Sequence, residues 1–367
     1  MNGWRQWPEI GAEQSYPERV SVEQVDLNDV AFIGHGLCRP ECALAHASGV
    51  IFAPDWTDDG GISAIFPDGS VKRHLARDWA DVSKNTGLDE PLRPNGICLL
   101  EGGDFLLAHL GTKRGGLFRL KTDGSVEPLL LEVDGQPLPP ANFVTVDHHG
   151  RCWITVSTRK TPRANAYRVD VADGFIVMMD DAGASIVADN LGYTNECVPH
   201  PDSKRLFVNE TFARRLTCFD IGTDGSLSSR RTIAEFGAGT FPDGLAFDED
   251  GNAWITSIVS NRVLRIDGSG QVDLVLQDAN LAHLAWVEAA YVTHSMGRPH
   301  LDKAAGCKLR NVSNLAFCGP ELDHAVLGCL LGDGLASLKM PVKGARPIHW
   351  TFEIAPLINT LENVPAV

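Results

Sequence analysis

Five side chains of one chemical kind stand at equivalent points along this chain: Glu41, Asn95, Asn142, Asn195 and Asp243. Carboxylate and amide oxygens together suit a hard divalent cation, with calcium the first expectation and magnesium, manganese or zinc as substitutes. Two negative charges match a dication, and amide ligands leave it a strong Lewis acid. Such an ion stabilises charge developing on a carbonyl oxygen. The competing explanation is turn chemistry, since Asn and Asp are common turn residues. Glu41 weighs against it, because Glu is a poor turn residue.

These side chains recur because the segments around them recur. Asn142 is followed by Asp147, Gly150 and Trp153-Ile154-Thr155, and Asp243 by Asp248, Gly251 and Trp254-Ile255-Thr256, at identical spacing. Looser copies open at Glu41, Asn95, Asn195 and Asn314. Strand-like runs such as Arg151–Val156, Arg205–Asn209 and Asn252–Ser257 are separated by Gly, Asp and Asn. A second set of turns, including Asp68-Gly69, Asp123-Gly124 and Asp224-Gly225, falls once per unit and suits tight hairpins. Two turns per unit predict a four-stranded meander. Six units predict an all-β fold: a six-bladed β-propeller of antiparallel blades around a central metal-binding channel. The residue opening each inner strand would then face the axis. The segment Val20–Phe32 is expected to close the ring beside Gly334–Val342, leaving no long open edge. Residues 1–19 read as an N-terminal extension, 20–350 as the propeller and 351–367 as a tail. The last repeat is overlong and predicts an insertion around 277–310, either a surface excursion or a loop over the mouth of the site. Helical periodicity is weak, so few helices are expected.

Composition narrows the partners. A net charge of −15 argues against nucleic acid or an anionic membrane surface. A small neutral ligand is not excluded. No apolar run is long enough to span a bilayer, and the first 18 residues lack an apolar signal core, which predicts a cytoplasmic protein. The nine cysteines are irregularly spaced and are expected as reduced thiols. Trp4 and Trp7 could pack on a second subunit of a homo-oligomer. No Gly-x-Ser-x-Gly, phosphate loop or dinucleotide fingerprint occurs in a suitable context.

The pieces Pro40-Glu41, Pro94-Asn95-Gly96, Pro140-Ala141-Asn142, Thr194-Asn195, Pro242-Asp243-Gly244 and Asn314–Phe317 resemble motifs of the gluconolactonase and senescence-marker-protein (regucalcin) family, six-bladed propellers, over about residues 20 to 350. The resemblance implies a metal held by Glu41, Asn142, Asn195 and Asp243, and hydrolysis of a lactone or similar ester. It also implies Asp243 as the group that accepts a proton from the attacking water. His109 is a second candidate base, matching a histidine of bacterial lactonases. Asn95, Arg93, Phe143, Glu196 and His294 are candidate substrate contacts. Departures occur at Cys42, Phe143 and Glu196, and Pro140 stands where animal members carry a sugar-binding Arg. Phe143 and the missing Arg predict a substrate less polar than a sugar lactone. Isomerase, lyase or cyclisation chemistry on the same metal, and a non-catalytic calcium-binding propeller, remain alternatives, because the fold hosts unrelated functions.

Overall fold

The computed structural model of the protein describes residues 22–367, so the N-terminal extension with Trp4 and Trp7 lies outside the described residues. Six four-stranded antiparallel sheets form the blades of a propeller. The inner strands open at Leu44, Pro94, Ala141, Thr194, Phe241 and Val312. Within blades one to five the strands follow chain order from the inside outward. The sixth is composite. Val312–Cys318, His324–Cys329 and Leu335–Lys339 are joined at the outside by Ala31–Ile33, with Ala31 opposite Ser337 and Ile33 opposite Leu335. The ring therefore closes through the segment expected to close it.

The repeated Asp-x-x-Gly-x-x-Trp frame has a local physical cause. Asp248 accepts backbone hydrogen bonds from Asp250 (3.1 Å) and Asn252 (2.8 Å), and Trp254 Nε1 donates to it at 2.9 Å. Asp147 likewise accepts from the backbone of His149 and Arg151, from Arg151 Nε at 2.7 Å and from Trp153 Nε1 at 3.1 Å. One buried carboxylate thus closes the hairpin between the first two strands and anchors the indole between blades. Trp153 and Trp254 are fully buried, and an indole so placed requires a partner for its N–H. The outer hairpins turn on Gly124, Gly225 and Gly270, whose φ values of 86°, 81° and 84° are accessible to glycine without steric cost.

Helices are few, as expected, but three sit where the sequence gave little warning. Residues Ala355–Glu362, expected as tail, form a helix that buries Leu357 and Leu361 with Phe52, Leu99 and Phe105 beneath blades one and two. The insertion contains helices Leu281–Val292 and Arg298–Asp302. The first is capped by Asn280, whose side chain accepts from His283 N at 3.1 Å. It docks through Leu284, Val287 and Tyr291, and Tyr291 donates to the Phe212 carbonyl at 2.6 Å. That docking carries the second helix to the mouth of the central channel. Among the described residues no helix is long and apolar enough to cross a membrane.

Candidate metal centre and its cavity

Neighbouring inner strands meet closely only because glycine follows two of the site residues. A Cβ on Gly96 would lie 2.6 Å from Phe143 Cα, and one on Gly244 would lie 2.5 Å from Asn314 Cα. The close approach brings the residues beside these glycines together across blade boundaries. Asn95 donates from Nδ2 to Glu41 Oε1 at 2.9 Å and to the Asn142 carbonyl at 3.1 Å. Asn142 Nδ2 donates to Ser157 Oγ at 3.0 Å. Asn195 Nδ2 donates to Thr211 Oγ1 at 3.1 Å and to Asp243 Oδ1. Thr211 in turn is fixed by the Pro242 carbonyl at 2.8 Å.

Those bonds fix the orientation of three amides. Each NH2 is engaged, so each oxygen turns away from the protein's donors. Asn95 Oδ1, Asn142 Oδ1 and Asn195 Oδ1 are buried and have no hydrogen-bond partner. An unmade buried hydrogen bond costs roughly 1–3 kcal/mol, and three at one spot require an explanation. A cation among the oxygens would supply it. All three line one cavity with Glu41 and Asp243. Two carboxylates and three amide oxygens, without imidazole or thiolate, form a hard-cation set. Among the described residues no three His, Cys, Asp or Glu side chains come together to form a softer alternative. The residues present therefore fit a calcium-like ion.

Electrostatics agree. Burial raises the Glu41 carboxyl to about 7, opposed by Arg39 and by the hydrogen bond from Asn95. Asp243 is raised well above the ordinary carboxylate range, first by burial and then by the charges of Glu41 and Glu196. Glu196 is raised for the same two reasons. Three buried acids that cannot all ionise unaided store a demand for positive charge.

The cavity, open to solvent, has a wall that motif reading missed: Arg39, Arg163, Arg298, Tyr167 and Tyr193. Arg39 Nε and Arg163 Nε are buried without partners, and neither residue pairs with a carboxylate among the described residues. Arg39 stacks over Trp56 at 4.4 Å, and Arg163 donates to Tyr193 Oη at 2.9 Å. Arg298 comes from the insertion, beside Asp302. Phe143, which suggested a less polar substrate, is not part of this wall. The sequence did hold one clue: the connection containing Arg163 runs 17 residues between strands ending at Val156 and starting at Gly174, longer than a hairpin needs.

Several sequence candidates lie elsewhere. Arg93 is spent on backbone carbonyls, donating to Trp56 O at 2.9 Å and Asp58 O at 3.2 Å. Phe143 is buried in the apolar cluster between blades with Ile97 and Leu99, because its side chain alternates to the opposite face from Asn142. His109 is fully buried against Trp79 and Phe118, accepts from Arg93 N at 3.0 Å, and is lowered to about 4 by burial. It is a packing residue that stays neutral. His294 is exposed at the end of the insertion helix, 3.7 Å from Asp170. None of the four lines the cavity. Asn95 does. Glu196 sits behind it in the channel, where its oxygens accept from Leu245 N at 2.7 Å and Asn314 Nδ2 at 2.8 Å. It ties blades four, five and six together. A larger surface cavity, about 630 Å³ near Phe32 and Lys308, contains none of the site residues. The nine cysteines are free, and Cys42 is buried while Cys38 is exposed.

Comparison with known proteins agrees with the fold. A gluconolactonase from Xanthomonas campestris superposes with a TM-score of 0.59 at 18% identity, covering 88% of this chain and 94% of the other. A calcium-binding protein, regucalcin, from Agrobacterium tumefaciens superposes with a TM-score of 0.58 at 14% identity, covering 88% and 95%. In sequence, a 6-deoxy-6-sulfogluconolactonase from Pseudomonas putida is 30% identical over 179 residues, or 47% of this chain. The match spans 57% of that relative's length. The sequence profile of the SMP-30/Gluconolactonase/LRE-like region matches residues 70–293, well over half of the chain. The protein belongs to the SMP-30/gluconolactonase/LRE-like family.

Proposed function

We propose that the protein is a divalent-metal-dependent lactonase that opens a small-molecule lactone by attack of water on its carbonyl. The observation that carries this reading is the trio of orphaned amide oxygens beside two buried carboxylates. Lactonase relatives and a calcium-binding relative support it. Glu41, Asn142, Asn195 and Asp243 would hold the ion, calcium first, with Asn95 orienting Glu41. The bound ion supplies Lewis-acid stabilisation of the charge that grows on the carbonyl oxygen.

The chain's own groups do the rest. Asn195 and Thr211 fix the orientation of the Asp243 carboxylate. Asp243 takes the proton from the attacking water, and the same proton is then delivered to the departing ring oxygen. Tyr167, Tyr193 and the Arg298 helix narrow the entrance and orient the substrate.

A pH-indicator assay over sugar, aliphatic and aromatic lactones tests this reading. The protein is first stripped of metal, then given calcium, magnesium, manganese or zinc singly. Turnover that returns with metal and is lost in Asp243→Ala is the expected result. A protein that binds calcium tightly but opens no lactone would refute it.

A further inference from the structure

We infer that the arginine-lined wall above the metal centre is an oxyanion clamp, so that the physiological substrate is a lactone carrying a carboxylate, sulfonate or phosphate. The inference rests on the lactonase reading and specifies its substrate class.

The argument is one of charge and hydrogen-bond capacity. Arg39 and Arg163 come from different blades and enter the same cavity as Glu41 and Asp243. Arg298 lines the same cavity, so three guanidiniums converge on one space. With the carboxylates bare, these cations offset them. With a dication on Glu41 and Asp243, that role is filled, and the two guanidiniums leave the cavity net positive even when Glu196 behind it is ionised. Arg298 does not alter the balance, because Asp302 accompanies it.

Geometry points the same way. Arg39 Nε and Arg163 Nε are buried donors without acceptors. A guanidinium presents a planar fork that matches an oxyanion bidentately. Neither arginine makes a direct ion pair with an acid among the described residues, and each is held from the side: Arg39 by the Trp56 face, Arg163 by Tyr193. Stacking leaves the donor edge free while restraining the side chain. A neutral polyhydroxylated lactone would leave these donors half satisfied and the excess charge unbalanced. A ring bearing a remote oxyanion answers both, with the lactone carbonyl at the metal and the anion on the arginine wall. The three guanidiniums come from the segment before blade one, the long connection of blade three and the insertion. The last two elements exceed what a minimal blade needs.

The test compares an uncharged aldonolactone with the same ring bearing a carboxylate, sulfonate or phosphate on its far end, at fixed ionic strength in calcium. Charge-assisted hydrogen bonds of this kind make the anionic lactone better in kcat/KM by about tenfold to a hundredfold. The preference should fall toward unity in Arg39→Met and Arg163→Met. Arg298→Met, altering an exposed rim side chain, serves as a milder variant should the buried ones fold poorly. The three anions, compared with one another, show which oxyanion is preferred. Methanesulfonate and inorganic phosphate binding, followed by calorimetry on wild type and variants, gives a readout that needs no turnover. Saturable anion binding lost in the variants supports the clamp even if no lactone is opened, in which case only the lactonase reading fails. Hydrolysis of neutral lactones without preference for anionic ones, or anion binding that survives removal of Arg39 and Arg163, overturns the clamp and leaves the lactonase reading standing.

Discussion

Stripping the metal should make the protein less stable as pH rises, and Glu41 accounts for much of the effect. Its folded carboxyl is raised from 4.5 to about 7. The folded state therefore holds a proton that the unfolded chain has already released. Stability from this group is fully present below about pH 4.5 and is lost as pH rises through about 7. One pKa unit is worth roughly 1.4 kcal/mol, so the loss is about 3 kcal/mol. Asp243 moves in the same direction for the same cause, burial. His109 and His349, both lowered to about 4 by burial, act oppositely and favour the folded state as pH rises. The measurement must cancel them. Urea unfolding at several pH values between about 5 and 8, with chelator or with saturating calcium, is compared for wild type and Glu41→Gln. The difference between the two metal-free proteins should grow in favour of Glu41→Gln by about 3 kcal/mol over that range. In calcium the trend should reverse, because the ion replaces the proton and only the carboxylate binds it. A metal-free Glu41→Gln that follows the same pH dependence as wild type would refute the argument that buried charge at Glu41 is what the site must neutralise.

Other expectations follow from single contacts. Asp248→Ala removes the acceptor of two backbone amides and the Trp254 indole, and should cost about 2–4 kcal/mol in denaturant unfolding while leaving calcium affinity nearly unchanged. Leu357→Ala empties a fully buried position under blades one and two and should cost about 2–5 kcal/mol, with little effect on any turnover. Replacing His109 with Gln should lower stability without shifting either limb of a pH–rate profile, since the imidazole is already neutral across the working range and does not line the cavity. Cys38 and Cys307 should react rapidly with a thiol reagent in the folded protein, and the seven buried cysteines only after unfolding.

The repeat made the ring legible because in two of its units a structural carboxylate imposes the same spacing. Asp147 and Asp248 close hairpins whose geometry demands Gly three residues on and rewards Trp three residues further. That Glu41, Asn95, Asn142, Asn195 and Asp243 would share one cavity was legible for a related reason: the inner-strand openings converge whatever the intervening sequence does. Two of the four candidates that lie elsewhere sat next to residues that do line the cavity. Arg93 and Phe143 are one or two residues from Asn95 and Asn142, but strand alternation and backbone carbonyls direct them into packing. The arginine wall was illegible because it obeys no repeat. Arg39 enters with a φ of 59°, an uncommon left-handed conformation for a side-chain-bearing residue. Arg163 and Arg298 lie on excursions whose course is set by tertiary docking, through Tyr193 and through the Tyr291 hydroxyl on Phe212. The repeating scaffold thus fixes where the oxygen-bearing openings converge, and the irregular segments determine what stands opposite them. Changes of substrate within such a ring should therefore track the connections and insertions, with the five oxygen-bearing openings left in place.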